Sequence, residues 1–335
     1  MAFISGPDGD LETAFVSDAW LLDQFVGNTL FTWGLGTTGQ LGDNTVANKS
    51  NPIQTVTGGI NWKQVSSGST HTAAMKTDGT LWTWGFGTAG QLGNNAATSR
   101  SSPVQTVTFG TNWKSVACGF NHTAAIKTDG TLWAWGSNSG NLGDNTNVDK
   151  SSPVQTITFG TNWKQVSAGE NHMAAVKSDG TLWSCGLNSS GQLGENTVIS
   201  RSSPVQTITF GTNWKQVFCG TNHTAAIKAD GTLWSWGLGT SGQLGDNTIL
   251  SKSSPVQTVA YGTNWKQVSV SAGSNTAAIK ADGTLWSWGS GTTGQLGDNT
   301  ILSKSSPVQT VAYGTNWKQV ACGASWTAAV TNGDI

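Results

Sequence analysis

The stretch Leu81-Trp82-Thr83-Trp84-Gly85, followed by Gly90-Gln91-Leu92-Gly93 and then Trp113, is written out again and again along this chain. A fixed period near 50 residues marks an array of one supersecondary unit, which constrains the fold before any single residue is weighed. Trp62, Trp113, Trp163, Trp214, Trp265 and Trp317 hold the same place in six successive repeats, 50 to 52 residues apart. The pair Trp-Gly recurs at 33–34, 84–85, 135–136, 236–237 and 288–289, with Cys185-Gly186 in the remaining repeat. Asp-Gly-Thr begins at Asp78, Asp129, Asp179, Asp230 and Asp282. Such uniform spacing leaves no room for a large insertion in any repeat.

Each repeat reads as four short strands. In the first full one, Trp62 to Val65 is a brief apolar run ending at Gly68, and Thr72 to Lys76 follows. Asp78-Gly79 predicts a two-residue hairpin turn with both residues at positive φ. Leu81 to Trp84 returns as the other arm, its alternation placing Trp82 and Trp84 on one face and Thr83 on the other. Pro103 opens the fourth strand, Pro103 to Val107, which must be an edge because proline has no N–H to give. No apolar stretch is periodic enough for a helix. Four antiparallel strands, repeated, make a β-propeller blade, which buries its faces only against neighbouring blades. Of the 18 Trp, Trp82, Trp84 and their counterparts are expected on those blade-to-blade faces.

The fold class is therefore all-β: a β-propeller of six four-stranded blades. The last blade stops after its second strand, near 328–335, and the strands at 28–34 and 52–56 are expected to complete it, removing an open edge. Seven blades require residues 1–26 to form a degenerate extra one. Residues 1–26 fall outside the repeat and read as an acidic, aromatic arm, residues 27–335 as the propeller. Phe3, Phe15, Trp20, Leu21 and Phe25 are the arm's candidate docking residues, with a short helix capped by Ser17 or Asp18 over 19–26. Its start lacks the basic and compact apolar regions of a signal peptide.

Only 10% of the residues are charged and the net charge is −1. The charges repeat too: Lys49, Arg100, Lys150, Arg201, Lys252 and Lys304 stand in the loop before the proline, and Asp43, Asp144, Glu195, Asp246 and Asp298 a few residues earlier in the same loop. They are expected to pair locally, which leaves no basic stripe for nucleic acid. No run of about 18 apolar residues offers a membrane span. Cys118, Cys219 and Cys322 take a position held elsewhere by Ser or Ala and read as small buried thiols rather than bridges or metal ligands. His71, His122, His172 and His223 recur one per repeat, too far apart to share a metal, and are expected to bond within their own blades. The Gly-Gln-Leu-Gly loop precedes a strand, not a helix, so it reads as a structural turn rather than a phosphate cradle. No catalytic residue, metal or cofactor emerges.

Positions that differ between repeats are where a binding face would be written on a regular scaffold. Phe86, Phe120, Glu170 and Trp326 are the candidates for partner contact.

Leu-Trp-x-Trp-Gly, Gly-Gln-Leu-Gly-Asp, Pro-Val-Gln-Thr-Val and Val-x-x-Gly-x-x-His-Thr-Ala-Ala, in that order in most repeats, resemble the regulator of chromosome condensation family over residues 28–334. The resemblance implies a β-propeller, commonly of seven blades. It implies nucleotide exchange on a small GTPase much less, because uniform repeats leave no protruding wedge. Residues 245–268 and 297–320 are identical, and the chain is sparse in Glu and rich in Gly, Thr, Asn and Trp. That composition is similar to prokaryotic and viral surface proteins built from this repeat. The expectation is a non-enzymatic virion structural or appendage protein, made in the cytoplasm, docking by its arm and engaging a protein or surface partner through its loops, as a homo-oligomer within a larger assembly. The alternatives are a cytosolic regulator that binds a small GTPase or another enzyme, and a glycan-binding propeller using exposed Trp.

Overall fold

Alternating side chains over five or six residues, punctuated by Asp-Gly and Gly-rich loops, produce strands and nothing else among the described residues. The computed structural model describes residues 2–5, 11–12 and 28–331, apart from 57–58, 60, 108–109, 158–159, 209–211, 260–262 and 312–313. Its strands form seven sheets, six of four strands and one of two. The chain divides into two compact units, Met1–Ala168 and Gly169–Ile335.

In the first unit, one sheet runs Leu11–Glu12, Ala2–Ser5, Thr29–Gly34, Lys49–Gln54 in spatial order. Two more run in chain order: Trp62–Ser67, His71–Lys76, Leu81–Gly85, Arg100–Gln105, and then Trp113–Cys118, His122–Lys127, Leu132–Gly136, Lys150–Gln155. In the second unit, Trp214–Cys219, His223–Lys228, Leu233–Gly237, Lys252–Gln257 and Trp265–Val270, Asn275–Lys280, Leu285–Gly289, Lys304–Gln309 form equivalent blades. Trp317–Cys322 and Thr327–Thr331 form a two-stranded sheet among the described residues.

The N-terminal strands depart from expectation. Thr29–Gly34 pairs with Ala2–Ser5, Ser5 opposite Thr29 and Ala2 opposite Thr32, so residues before the repeat build a further sheet and the count is seven. The expected helix at 19–26 lies outside them, as do Phe15, Trp20, Leu21 and Phe25. Phe3 lies in Ala2–Ser5, opposite Phe31.

The core sits between blades. Leu81, Ala73 and Met75 of one blade pack on Trp113, Val116, Ala125 and Trp135 of the next. Leu233, Ile227 and Phe218 pack likewise on Trp265, Val268 and Trp288 in the second unit. Trp113 and Trp135 meet at 5.8 Å between ring centroids, Trp265 and Trp288 at 6.0 Å. Trp82, Trp84 and their counterparts thus lie on blade-to-blade faces. First strands of neighbouring blades are also stitched by polar groups: the Gln64 amide donates to the Val116 carbonyl at 3.1 Å and accepts from the Val116 N–H at 3.2 Å.

The Gly-Gln-Leu-Gly loop is structural, and each of its last three residues has a defined contact. The Gln91 carbonyl accepts the Trp135 indole N–H at 2.9 Å and the Thr123 hydroxyl at 2.9 Å. The Leu92 side chain is buried while its carbonyl accepts from Thr83 at 2.6 Å. Gly93, at φ 63°, lies under the indole, where an added Cβ would stand 2.6 Å from Trp135 Nε1.

Two local expectations need correction. Only Gly79 of the Asp78-Gly79 pair has positive φ, at 79°; Asp78 does not. The Gly79 N–H donates to the Lys76 carbonyl, making a type I turn closed by a left-handed glycine rather than a two-residue turn. The fourth strand starts at Arg100, three residues before Pro103, because a bulge between Thr83 and Gly85 shifts the register around the proline.

Candidate protein-interaction surface

In the four-stranded blades, the connection between strands one and two and the long loop between strands three and four lie at the same end. Phe86, Phe120, Glu170 and Trp326 all occupy that end of their blades. Phe120 and Trp326 are well exposed, at 45% and 43%. Phe86 is half-buried, with its N–H on the Thr70 carbonyl at 2.8 Å. Glu170 is half-buried and its backbone N–H reaches the Gly220 carbonyl at 3.4 Å. Phe86 and Phe120 come from adjacent blades of the first unit. Glu170 and Trp326 stand at opposite ends of the second unit's sequence and do not form a cluster.

The larger feature at this end was not among the sequence candidates. Val198-Ile199, Ile249-Leu250 and Ile301-Leu302 occupy equivalent places in three successive loops of the second unit, and all six side chains are 59% to 68% exposed. Val46 and Val148 repeat the feature singly in the first unit. These aliphatics precede the basic residue of each loop, a position that the sequence presented only as part of a charge pattern.

That charge pattern is what holds the loops in place. Asp43–Lys49, Asp144–Lys150, Glu195–Arg201, Asp246–Lys252 and Asp298–Lys304 pair at 2.9 to 3.5 Å, as the spacing led one to expect. Asp246 also accepts from the Thr248 N–H at 3.1 Å and hydroxyl at 2.8 Å, and that hydroxyl in turn takes the Leu250 N–H at 3.4 Å. Asp298, Thr300 and Leu302 repeat the arrangement. Burial alone would raise the Asp144 carboxyl. The Thr146 hydroxyl and N–H, the Asn138 amide and the Lys150 ammonium outweigh it and hold that carboxyl below the usual range.

Two of the three loops are also tied to the next blade. Asn196 and Asn247, at φ 63° and 64°, donate their N–H groups to the carbonyls of Ser253 and Ser305 at 2.8 Å. Ser254 and Ser306 return hydroxyl bonds to the two asparagine side chains at 3.0 and 3.1 Å. The aliphatic pairs therefore project from a hydrogen-bonded series of loops.

The recurring histidines belong to the scaffold, and the rings of His71, His172 and His223 bond to threonines of the next blade, where bonds within their own blades were expected. His71 Nε2 meets the Thr123 hydroxyl of the next blade at 2.9 Å, and His223 Nε2 meets that of Thr276 at 3.3 Å. Burial depresses them, His71 to about 3 and His122 and His223 to about 4, with the neighbouring His122 adding to the effect at His71. Burial pushes the Cys118 thiol up to about 12 and that of Cys322 to about 11, which leaves little thiolate at neutral pH. Among the described residues no group of three His, Cys, Asp or Glu side chains converges, and no helix is long and apolar enough to cross a membrane.

Residues 26–335 match the model of the RCC1-like domain. The chain is 32% identical over 284 residues to the ultraviolet-B receptor UVR8 of Arabidopsis thaliana, covering 82% of this chain and 52% of the receptor, so it spans about half that relative's length. Its fold is similar to yeast RCC1 (Prp20) in complex with Kap60, with a TM-score of 0.78 and 20% identity over 90% of this chain and 76% of that one. Human WBSCR16 gives a TM-score of 0.80 at 21% identity, over 96% of this chain and 84% of the other. The fold class is the all-β propeller of these proteins, and the chain belongs to the RCC1-like family.

Proposed function

We propose that this chain is a non-enzymatic, protein-binding regulatory propeller that engages its partner through the aliphatic loops of its second unit. The observation that carries this reading is the series Val198-Ile199, Ile249-Leu250 and Ile301-Leu302. Monomeric soluble proteins rarely expose contiguous apolar patches, and larger ones usually mark interaction sites. Here six large aliphatics recur at one blade end, on loops fixed by ion pairs and hydrogen bonds. Rigid loops lose little entropy on binding, which favours recognition. The relatives support a regulator. The yeast protein was crystallised with Kap60, and another structure of it is described with binding to Gsp1p and histones. The Arabidopsis relative is named as a receptor.

A virion structural role has no counterpart among these relatives, and the cytosolic regulator drawn from the sequence as an alternative is the better supported reading. Glycan stacking rests on Trp326 alone among the described tryptophans in being well exposed. Cross-linking with mass spectrometry in the source cells tests the proposal. Partner cross-links are expected around the loops 196–204, 247–255 and 299–307, and to diminish when Ile249 and Leu250 are both changed to Asp. Cross-links that map only to other surfaces, or are unaffected by the double change, reject it. Adding the chain to a small GTPase loaded with fluorescent GDP then separates an exchange factor, which accelerates release, from a partner that only binds.

A further inference from the structure

The repeated charges cancel in the loops but not on the first strands. In the second unit the loop cations Arg201, Lys252 and Lys304 pair with Glu195, Asp246 and Asp298. The second-strand lysines Lys228 and Lys280 are matched by the turn acids Asp230 and Asp282, and each ammonium lies 4.3 to 5.0 Å from the centroids of two tryptophan rings. A third lysine follows each first-strand tryptophan, at Lys215, Lys266 and Lys318, and the repeat places no acid beside it. Among the described residues Lys215 and Lys266 enter no ion pair. The net charge of −1 hides this excess: all 17 Lys and Arg follow residue 26, against 13 of the 18 acids, so the repeats are net positive.

The backbone sets these lysines apart. Trp214 stands opposite Lys228 and Gln216 opposite Ile227, so Lys215 is one residue too many for the ladder. Lys266 and Lys318 are the extra residues of the same bulge in the next two blades. A bulge releases its extra residue from pairing and re-aims the side chain. Trp214 and Gln216 on either side are buried, whereas Lys215, Lys266 and Lys318 are exposed.

The three bulges lie side by side. The Gln267 amide oxygen accepts the Val320 N–H at 3.2 Å, and the Ser269 hydroxyl accepts the Cys322 N–H at 3.0 Å, which joins Trp265–Val270 to Trp317–Cys322. Trp214–Cys219 neighbours Trp265–Val270 on the other side. The Trp265 and Trp317 N–H groups reach the carbonyls of Gly231 and Gly283, in the turns between strands two and three, at 3.0 and 3.1 Å. The lysines therefore line the turn end of the blades, opposite the loops that carry the exposed aliphatics. Lys63 and Lys114 repeat the bulge on adjacent first strands of the first unit.

We propose that this first-strand lysine row binds an acidic peptide segment of a partner protein, its carboxylates lying in turn on the ammonium groups of Lys215, Lys266 and Lys318. Unmatched charges of one sign, held in a row by rigid strands, attract a string of opposite charges. Nucleic acid is the poorer fit, because its recognition draws on exposed aromatics that stack bases and on arginine forks that grip phosphate. The tryptophans beside Lys215 and Lys266 are buried, and the row contains no arginine. The row and the aliphatic loops occupy opposite blade ends, so either surface can fail without the other.

Fluorescence anisotropy of a labelled oligoglutamate peptide, titrated with the full chain, tests this. Binding is expected at low salt and should weaken at least about tenfold as ionic strength rises from about 0.05 to about 0.3 M. Changing Lys215 and Lys266 to Gln should weaken it about 5- to 20-fold, and adding Lys63→Gln and Lys114→Gln should weaken it further. Lys215→Arg with Lys266→Arg keeps the charges and should keep the affinity. Lys49→Gln with Lys150→Gln removes two cations from the opposite blade end and should change it less than about twofold. Because Lys215 and Lys266 are exposed, the melting temperatures of their variants should stay within about 2 °C of the parent. A peptide that does not bind at low salt overturns the inference. So do equal losses in the two paired Gln variants, and duplex DNA that binds more tightly than the peptide through the same lysines.

Discussion

His71 and His223 sit where a blade meets its neighbour, and both are deeply buried and neutral. Their folded pKa values, about 3 and 4, lie below the ordinary value near 6.5 of the unfolded chain. Between those limits the unfolded state binds the extra proton, so stability rises with pH and is lost as pH falls from about 6.5 toward 4. Each titrating histidine contributes a slope of about 1.4 kcal/mol per pH unit in that window. The melting temperature is therefore expected to fall steeply between pH 6 and pH 4.5, before most carboxylates protonate. Asn275 fills the histidine position in a later repeat, which makes His223→Asn the natural control. That variant should have a shallower pH dependence of unfolding in urea, and an unchanged slope would contradict the assignment. A second residue-scale expectation concerns Trp135, fully buried and bonded to the Gln91 carbonyl. Trp135→Ala should cost about 3 to 5 kcal/mol in denaturant unfolding. The sequence identified both residues as scaffold. It could not say that histidine reaches across to the next blade, because a repeat shows that a residue recurs and not which copy of its neighbour it faces.

At the scale of the element, the strands were readable because each is short, alternating and bounded by glycine or proline. The departures are at turns, where one dihedral matters more than a pattern. In Asp129-Gly130-Thr131 the carboxylate accepts from the Thr131 N–H at 2.9 Å and hydroxyl at 2.6 Å, and the Thr131 hydroxyl then receives the Trp133 indole N–H at 2.9 Å. Those Thr131 bonds, the hydroxyl first, hold the Asp129 carboxyl below the ordinary range despite some burial. The Asp in Asp-Gly is thus chosen for an acceptor that anchors the turn and a tryptophan, not for tolerance of positive φ. Asp129→Ala should cost about 1 kcal/mol in urea unfolding, whereas Asp129→Asn, which keeps an acceptor oxygen, should cost less. Equal losses would show that the charge, rather than the accepted bonds, stabilises the turn. The tryptophan held by this relay also carries Lys127, whose ammonium lies 4.3 Å from the Trp133 ring and 5.0 Å from Trp113. Turn, ring and cation form one small cluster that recurs in other blades.

For the whole molecule, strand count and strand pairing are separate questions. The sequence holds third and fourth strands at its start and a first and second at its end, and those numbers are consistent with either pairing of Thr29–Gly34. The choice made with Ala2–Ser5 depends on residues outside the repeat, where no second copy exists to compare. The proposed interaction surface was hidden for the opposite reason. The aliphatic pairs recur, so a search for positions that differ between repeats passes over them. Recurrence itself gives a graded test. Residues 245–268 and 297–320 are identical, so Ile249-Leu250 and Ile301-Leu302 are presented by loops of the same sequence in adjacent blades. A partner that spans the series gains from each pair, and removing one pair should weaken binding by about 1 to 3 kcal/mol, or roughly 5- to 150-fold. Asp at both positions of one loop is expected to give that loss, and Asp in two loops a larger one. Because all of these side chains are exposed in the free chain, the melting temperature should stay within about 2 °C of the parent in each case. A partner that loses everything with one loop and nothing with the other engages a single blade, and the surface would then be local rather than spread along the repeat.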